Sequence, residues 1–117
     1  MTRPDFDALC ARHPGATLSG PGELDAWKVG GRMFACFGHA EARAANLDHA
    51  SVKCPDAETA AMLIDAGAAE RAPYFHRSWV LLPEDVAEDE LAHRLRASYD
   101  LVRGGLPKRV RDALEAG

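Results

Sequence analysis

The sequence has no apolar run that approaches the roughly 18 residues of a membrane-spanning helix, so we expect no segment that crosses a bilayer. Its first residues also lack the apolar stretch of a signal peptide. Cysteine occurs only three times, and an odd number argues against a disulfide framework and for a reducing compartment. These absences predict a cytoplasmic protein that has no membrane partner.

An excess of basic charge is missing as well. The 14 Lys and Arg residues are outnumbered by 18 Asp and Glu residues, which gives a formal net charge of −4. Because dedicated DNA-binding domains usually have a basic surface, this total argues mildly against nucleic acid. The charges are unevenly distributed, however: five acids lie within residues 84–90, and four bases without an intervening acid follow at Arg103, Lys108, Arg109 and Arg111. A basic face is therefore compatible with the acidic total.

Motifs of the common catalytic sites are also missing. The sequence contains no G-x-S-x-G, no phosphate-binding loop, no G-x-G-x-x-G and no H-E-x-x-H. Cys36 and His39, with His49 and Cys54 downstream, form a weak zinc pattern, but free cysteine is commonly a small buried hydrophobic residue. We therefore predict no catalytic residue, no metal and no cofactor, and we favour a binding protein over an enzyme.

The length and composition predict a single domain that spans residues 1–117. A chain of 117 residues, 47% hydrophobic and 27% charged, has the size and balance of one globular domain. Helical spacing predicts helices at residues 4–12, from 55 to about 67, from 85 or 88 to 103, and from 107 onward. Strands are predicted at residues 16–19, 26–29, 32–37, 50–53 and 79–82. This order indicates a two-layer α+β fold, with an antiparallel sheet of about five strands and helices on one face.

The clearest local signal is a hairpin around Gly30-Gly31, since glycine accepts the positive φ of a two-residue turn. In the simplest register, Trp27 faces Phe34 and Lys28 faces Met33. In the longest helix, one buried stripe is predicted, and it consists of Leu91, Leu95, Ser98, Tyr99 and Val102. In the helix after Pro55, the predicted stripe consists of Ala57, Ala60, Ala61 and Ile64.

The densest aromatic and basic cluster lies in the loop at residues 74–79. Packing at the end of the core is the simpler interpretation of this cluster, but Tyr74, His76 and Trp79 are the candidates for contact with a ligand. Six basic residues, one of them in this loop, are the candidates for contact with phosphate. They are Arg32, Lys53, Arg77, Lys108, Arg109 and Arg111.

Short pieces in order along nearly the whole chain resemble the MmcQ/YjbR-like family of the CyaY-like superfamily. These pieces are Pro14-Gly15-Ala16, residues 27–35, Val52-Lys53-Cys54-Pro55, residues 72–76, Trp79-Val80, residues 98–102 and Leu106-Pro107-Lys108-Arg109. The resemblance implies the order α-β(3)-α-β(2)-α with a curved antiparallel sheet. It also implies DNA binding through a proposed double wing, but no settled catalytic residues. The chain departs from the family after Lys108, because fewer bases follow and acids return at Asp112 and Glu115.

Two functions from different classes remain open. The first is a non-enzymatic DNA-binding protein of low sequence specificity that uses the six cations named above, with the hairpin of Arg32 as a wing. The alternative is a protein-binding or small-ligand-binding module that uses the sheet face and the loop at residues 74–79. An enzyme or a drug-sequestering protein with Tyr74, His76 and Trp79 around a cavity is the least favoured.

Overall fold

The computed structural model describes residues 2–19, 26–37, 49–72 and 75–116. Four helices lie in this part of the chain, and they are α1 (Arg3–Ala11), α2 (Ala57–Asp65), α3 (Glu88–Gly104) and α4 (Lys108–Ala116). The strands are β1 (Thr17–Leu18), β2 (Ala26–Val29), β3 (Arg32–Phe37), β4 (Ala50–Lys53), β5 (Glu70–Arg71) and β6 (Trp79–Leu81). The α+β class predicted from the sequence is confirmed.

The strands form one antiparallel sheet in the order β1-β2-β3-β4-β6-β5. The described sheet therefore has six strands where about five were predicted. The additional strand is β5, which has two residues and pairs with β6 at the edge of the sheet. So short a strand has no alternation of polar and apolar residues for a sequence pattern to detect.

Capping residues start the first two helices within two residues of the predicted positions. The Thr2 hydroxyl accepts a hydrogen bond from the Asp5 N–H at 3.3 Å, with a proline in the first turn of α1. The Asp56 carboxylate accepts from the Thr59 N–H at 2.7 Å and starts α2. This hydrogen bond lowers the pKa of Asp56, because it favours the charged carboxylate.

The hairpin forms around Gly30 and Gly31, whose φ angles are 58° and 81°. Lys28 faces Met33 as predicted, but Trp27 faces Ala35, so the predicted pairing of Trp27 with Phe34 is wrong. The register shifts between Trp27 and Lys28 because β3 has one extra residue there, as in a β-bulge. The bulge lets Phe34 and Ala35, although consecutive, both join the main core.

Helix α3 packs across β2, β3 and β4 and supplies the centre of the main core. All five residues of its predicted stripe are buried. Helix α1 joins this layer through Phe6, Leu9 and Cys10, and the Trp27 indole N–H donates to Asp7 of α1 at 2.8 Å.

The predicted stripe of α2 is wrong at one position, because Ala61 is exposed while Ala60 is buried. Leu63, on the same helix, packs partly against the core instead.

A smaller apolar cluster lies on the opposite face of the sheet. Val80 pairs with Val52 in the main core, so alternation along β6 directs Trp79 and Leu81 to the other face. There the two residues pack with Ala72, Met33 and Phe75. Trp79 and Leu81 are buried, so this face does not present them to solvent.

The Ser98 hydroxyl connects α3 to two strands at once. It donates to the Phe34 carbonyl of β3 at 2.5 Å and accepts from the Lys53 N–H of β4 at 2.9 Å. Ser98 is fully buried, so both backbone groups depend on this hydroxyl for these hydrogen bonds.

Ser98→Ala is therefore expected to lower the free energy of unfolding by about 1–3 kcal/mol, because it leaves two buried polar groups without this partner. Urea denaturation measures the change. Ser19→Ala is the matched control, since the Ser19 hydroxyl donates to the Ala26 carbonyl from a half-buried site. Equal losses in the two variants would contradict a special role for Ser98.

Gly30 and Gly31 are expected to differ when each is replaced by alanine. Both need a positive φ, which costs an L-residue roughly 1–2 kcal/mol. A Cβ at Gly30 would also lie 2.6 Å from Leu106 Cδ1, whereas a Cβ at Gly31 meets open space. Gly30→Ala should therefore destabilise the protein more than Gly31→Ala in urea denaturation, and the reverse order would show that Leu106 does not pack against the turn.

Candidate functional site

The turn between α3 and α4 is held against the tip of the β2-β3 hairpin. Leu106 is buried, and it lies with Val110 directly over Gly30. The Arg32 guanidinium, at the start of β3, donates to the Gly105 carbonyl at 3.2 Å. These contacts bring Arg32, from the first half of the chain, beside the basic stretch that follows α3.

Three basic and two acidic side chains line a cavity of about 410 Å³ at this turn. Its lining includes Arg103, Lys108 and Arg111, together with Asp100 and Asp112. The Nε atoms of Arg103 and Arg111 are buried, so the stems of these arginines are packed rather than free in solvent. We refer to Arg32, Arg103, Lys108 and Arg111 as the junction cluster.

The acids near this cluster neutralise it only in part. Lys108 pairs with Asp112 at 2.9 Å, but both side chains are mostly exposed. An exposed pair of this kind contributes little stability in water, because solvent and salt screen it. The Lys108 ammonium can therefore exchange Asp112 for another anion with only a small loss of free energy.

A second cavity, of about 440 Å³, continues from the first along α3 toward the end of α1. The two cavities share Asp100 and Arg103. We call the second cavity the α1–α3 groove. Its lining consists of three arginines, two aromatic rings, one acid and three apolar residues: Arg12, Arg96, Arg103, His13, Tyr99, Asp100, Leu9, Ala92 and Pro14.

Two aromatic rings at this groove pack against each other, the half-buried His13 and the buried Tyr99. The His13 and Tyr99 rings lie 4.7 Å apart, and His13 also meets Phe34 edge-on at 5.8 Å. The Tyr99 hydroxyl donates to the Pro14 carbonyl at 2.6 Å. His13 Nδ1 lies 3.2 Å from the Cys10 carbonyl, within hydrogen-bond distance when Nδ1 is the protonated ring nitrogen.

The predicted contact residues divide into two groups. Arg32, Lys108 and Arg111 lie at the α3–α4 turn, and Arg109 is exposed on the same helix. The other group, at the ends of β4 and β6, contains Lys53, His76, Arg77 and Trp79. Tyr74 lies outside the described residues.

In the second group, hydrogen bonds hold Lys53 and His76 to one buried serine. The Lys53 ammonium donates to the Ser78 hydroxyl at 3.0 Å, and His76 Nδ1 lies 2.9 Å from the same oxygen. Trp79 is buried and stacks on Phe75 at 5.1 Å, which leaves little of its indole for a ligand. Arg77 is exposed.

Three arginines of the α1–α3 groove were not among the predicted contacts. Arg96 and Arg103 are seven residues apart on α3, a spacing that places them on one helix face with Tyr99 between them. The spacing in the sequence was therefore enough to predict that Arg96 and Arg103 share one face of α3. Arg12 was not detectable in this way, because only the packing of α1 against α3 brings it to the groove.

The three cysteines behave as buried apolar residues. Cys10, Cys36 and Cys54 are free and buried, and burial raises the pKa of Cys10 and of Cys54. Among the described residues, no group of three His, Cys, Asp or Glu side chains is placed to hold a metal ion. His39 of the zinc pattern lies outside those residues.

None of the described helices combines the length and apolar character needed to cross a membrane.

Comparison with known proteins agrees with this architecture. The YjbR family model matches residues 11–101, and the chain therefore belongs to the YjbR family. Among solved structures, the chain is similar to the Deinococcus radiodurans protein DR2400, whose family-model domain is DUF419. The TM-score is 0.78 at 25% identity, over 97% of this chain and 88% of that chain. No curated protein gives a significant match.

Tyr99 is expected to resist ionisation in the folded protein. Burial raises its pKa above the ordinary phenol value of 10.0, because desolvation disfavours the phenolate. The stability that Tyr99 contributes is therefore complete below about pH 10 and is lost as pH rises through its folded-state pKa.

The phenolate absorbance of Tyr74→Phe measures this, since Tyr99 is then the single tyrosine. Its titration midpoint should lie higher in the folded protein than in urea. Equal midpoints would contradict the burial of the phenol.

Proposed function

We propose that this YjbR-family protein binds DNA without catalysis, through contacts between the junction cluster and backbone phosphates. The observation that carries the proposal is the convergence of four cations at one turn of an acidic protein. Arginine and lysine side chains neutralise phosphate and release condensed counterions, which is the main source of non-specific DNA affinity. The partially buried stems of Arg103 and Arg111 reduce the conformational entropy that such contacts cost.

The acidic stretch does not oppose binding at this end of the molecule. Glu88, Asp89 and Glu90 lie in the first turn of α3, while Arg103 lies in its last turn. The helix has 17 residues and is therefore about 25 Å long. This separation exceeds the Debye length of about 8 Å at physiological salt, so the acids are largely screened from a phosphate at the α3–α4 turn.

Low sequence specificity follows from the kind of contact. Cations that meet phosphates position the nucleic acid but do not read the edges of its bases. The junction cluster consists of arginine and lysine alone, and these side chains suit contact with phosphate. DNA sequence should therefore affect the affinity little.

The alternative of a binding module on the sheet face has less support. An exposed apolar patch would favour it, but Trp79 and Leu81 are buried there. The large hydrophobic residues exposed within the described ranges are Leu18 and Met62, which lie on β1 and α2. DNA binding is therefore the function we adopt.

Fluorescence anisotropy with a labelled duplex of mixed sequence tests the proposal. The wild-type protein should bind with a dissociation constant of about 1–100 µM at physiological salt, and binding should weaken as salt rises. Arg111→Gln should lower the affinity for every sequence and reduce the slope against log salt by about one, because one phosphate contact is lost.

Arg71→Gln is the matched control, because it removes the same charge from exposed β5 at the opposite edge of the sheet. It should leave both affinity and slope unchanged. No binding tighter than about 100 µM to either duplex or single-stranded DNA would overturn the proposal, as would equal effects of the two substitutions.

A further inference from the structure

The α1–α3 groove has a composition different from that of the junction cluster. Ala92 and Pro14 contribute apolar surface to it, and the half-buried His13 ring contributes an aromatic face, whereas Tyr99 and Leu9 are buried. Its volume of about 440 Å³ lies in the range of cavities that hold small organic molecules. An ion alone would be held by charge, whereas this lining also suits a flat apolar group.

Cations lie around the same groove. Arg12, Arg96 and Arg103 belong to its lining, and Asp100 is the one acid among its lining residues. Asp100 pairs with Arg96 at 3.3 Å, but both side chains are more than half exposed, so the pair is readily exchanged for another anion. The planar guanidinium of arginine is suited both to phosphate and to the face of a ring.

Arg103 connects this groove to the junction cluster, since it lines both cavities. A flat group in the groove would therefore lie next to a phosphate held at the α3–α4 turn. A nucleotide carries both a phosphate and a flat ring, which its sugar joins. In a duplex the bases are stacked and paired inside the helix, so only an unpaired base can reach a cavity between two helices of a protein.

We propose that the α1–α3 groove binds one unstacked base of single-stranded DNA while the junction cluster holds the adjoining phosphates. This inference rests on the proposed function and specifies its substrate as single-stranded rather than duplex DNA. The fixed position of the His13 ring supports it. His13 Nδ1 is hydrogen-bonded to the Cys10 carbonyl and the ring packs on the buried Tyr99, so the ring stays in place when a base enters.

The test compares one labelled oligonucleotide with and without its complement. The wild-type protein should bind the single strand about tenfold more tightly than the duplex, as expected for one stacked base. Ala92→Phe places a ring in the lining of the groove and should abolish this preference, while the affinity for duplex stays the same.

His93→Phe is the matched control, because it adds a similar ring at the next position of α3, which is exposed and does not line the groove. It should keep the preference for single strands. Arg96→Gln supplies a second variant at an exposed position of the groove, and it should weaken single-strand binding more than duplex binding. Thermal unfolding of each variant shows whether it remains folded.

The outcomes separate this inference from the proposed function. Equal or stronger binding of the duplex by the wild-type protein would overturn the groove proposal and leave phosphate binding intact. A preference that survives in both folded Ala92→Phe and Arg96→Gln would also overturn it. Loss of binding to both forms of DNA in the wild-type protein would remove the proposed function itself.

Discussion

The hydroxyl of Ser98 is the interaction on which the rest of the structure depends. It lies between the Phe34 carbonyl and the Lys53 N–H, and thus joins α3 to the two central strands of the sheet. At this level β3 carries a bulge, and Phe34 and Ala35 both enter the main core. A buried hydroxyl in this position satisfies both backbone groups and sets how α3 lies across the sheet.

The position of α3 in turn determines where the charges lie. Its first turn carries acids, and its last turn ends where Arg32 reaches the Gly105 carbonyl. Leu106 and Val110 then pack against the hairpin turn at Gly30 and hold α4 there. An acidic protein thereby gains a basic end, which its net charge of −4 conceals. Charge arrangement, rather than total charge, determines the electrostatic potential at each part of the surface.

Most elements of the fold were predictable because they depend on neighbours in the sequence. The buried stripe of α3 follows from helical spacing, and the turn at Gly30-Gly31 follows from the need for positive φ. The bulge opposite Trp27 was not predictable, because α3 and the sheet decide it together. Within the candidate site, Lys108 and Arg111 were predictable from a cluster of bases, whereas Arg12 reaches the adjoining groove only through the packing of α1 against α3.

The sequence by itself determined the α+β class, the family resemblance and the presence of a basic stretch after α3. These properties follow from composition, from hydrophobic periodicity and from short motifs in a fixed order. Only the tertiary structure decided that Arg32 meets that stretch, that Trp79 is buried, and that Arg12 joins Arg96 and Arg103 in the lining of one groove. The reason is physical: each of these facts depends on side chains brought together from distant segments, and local spacing carries no information about such contacts.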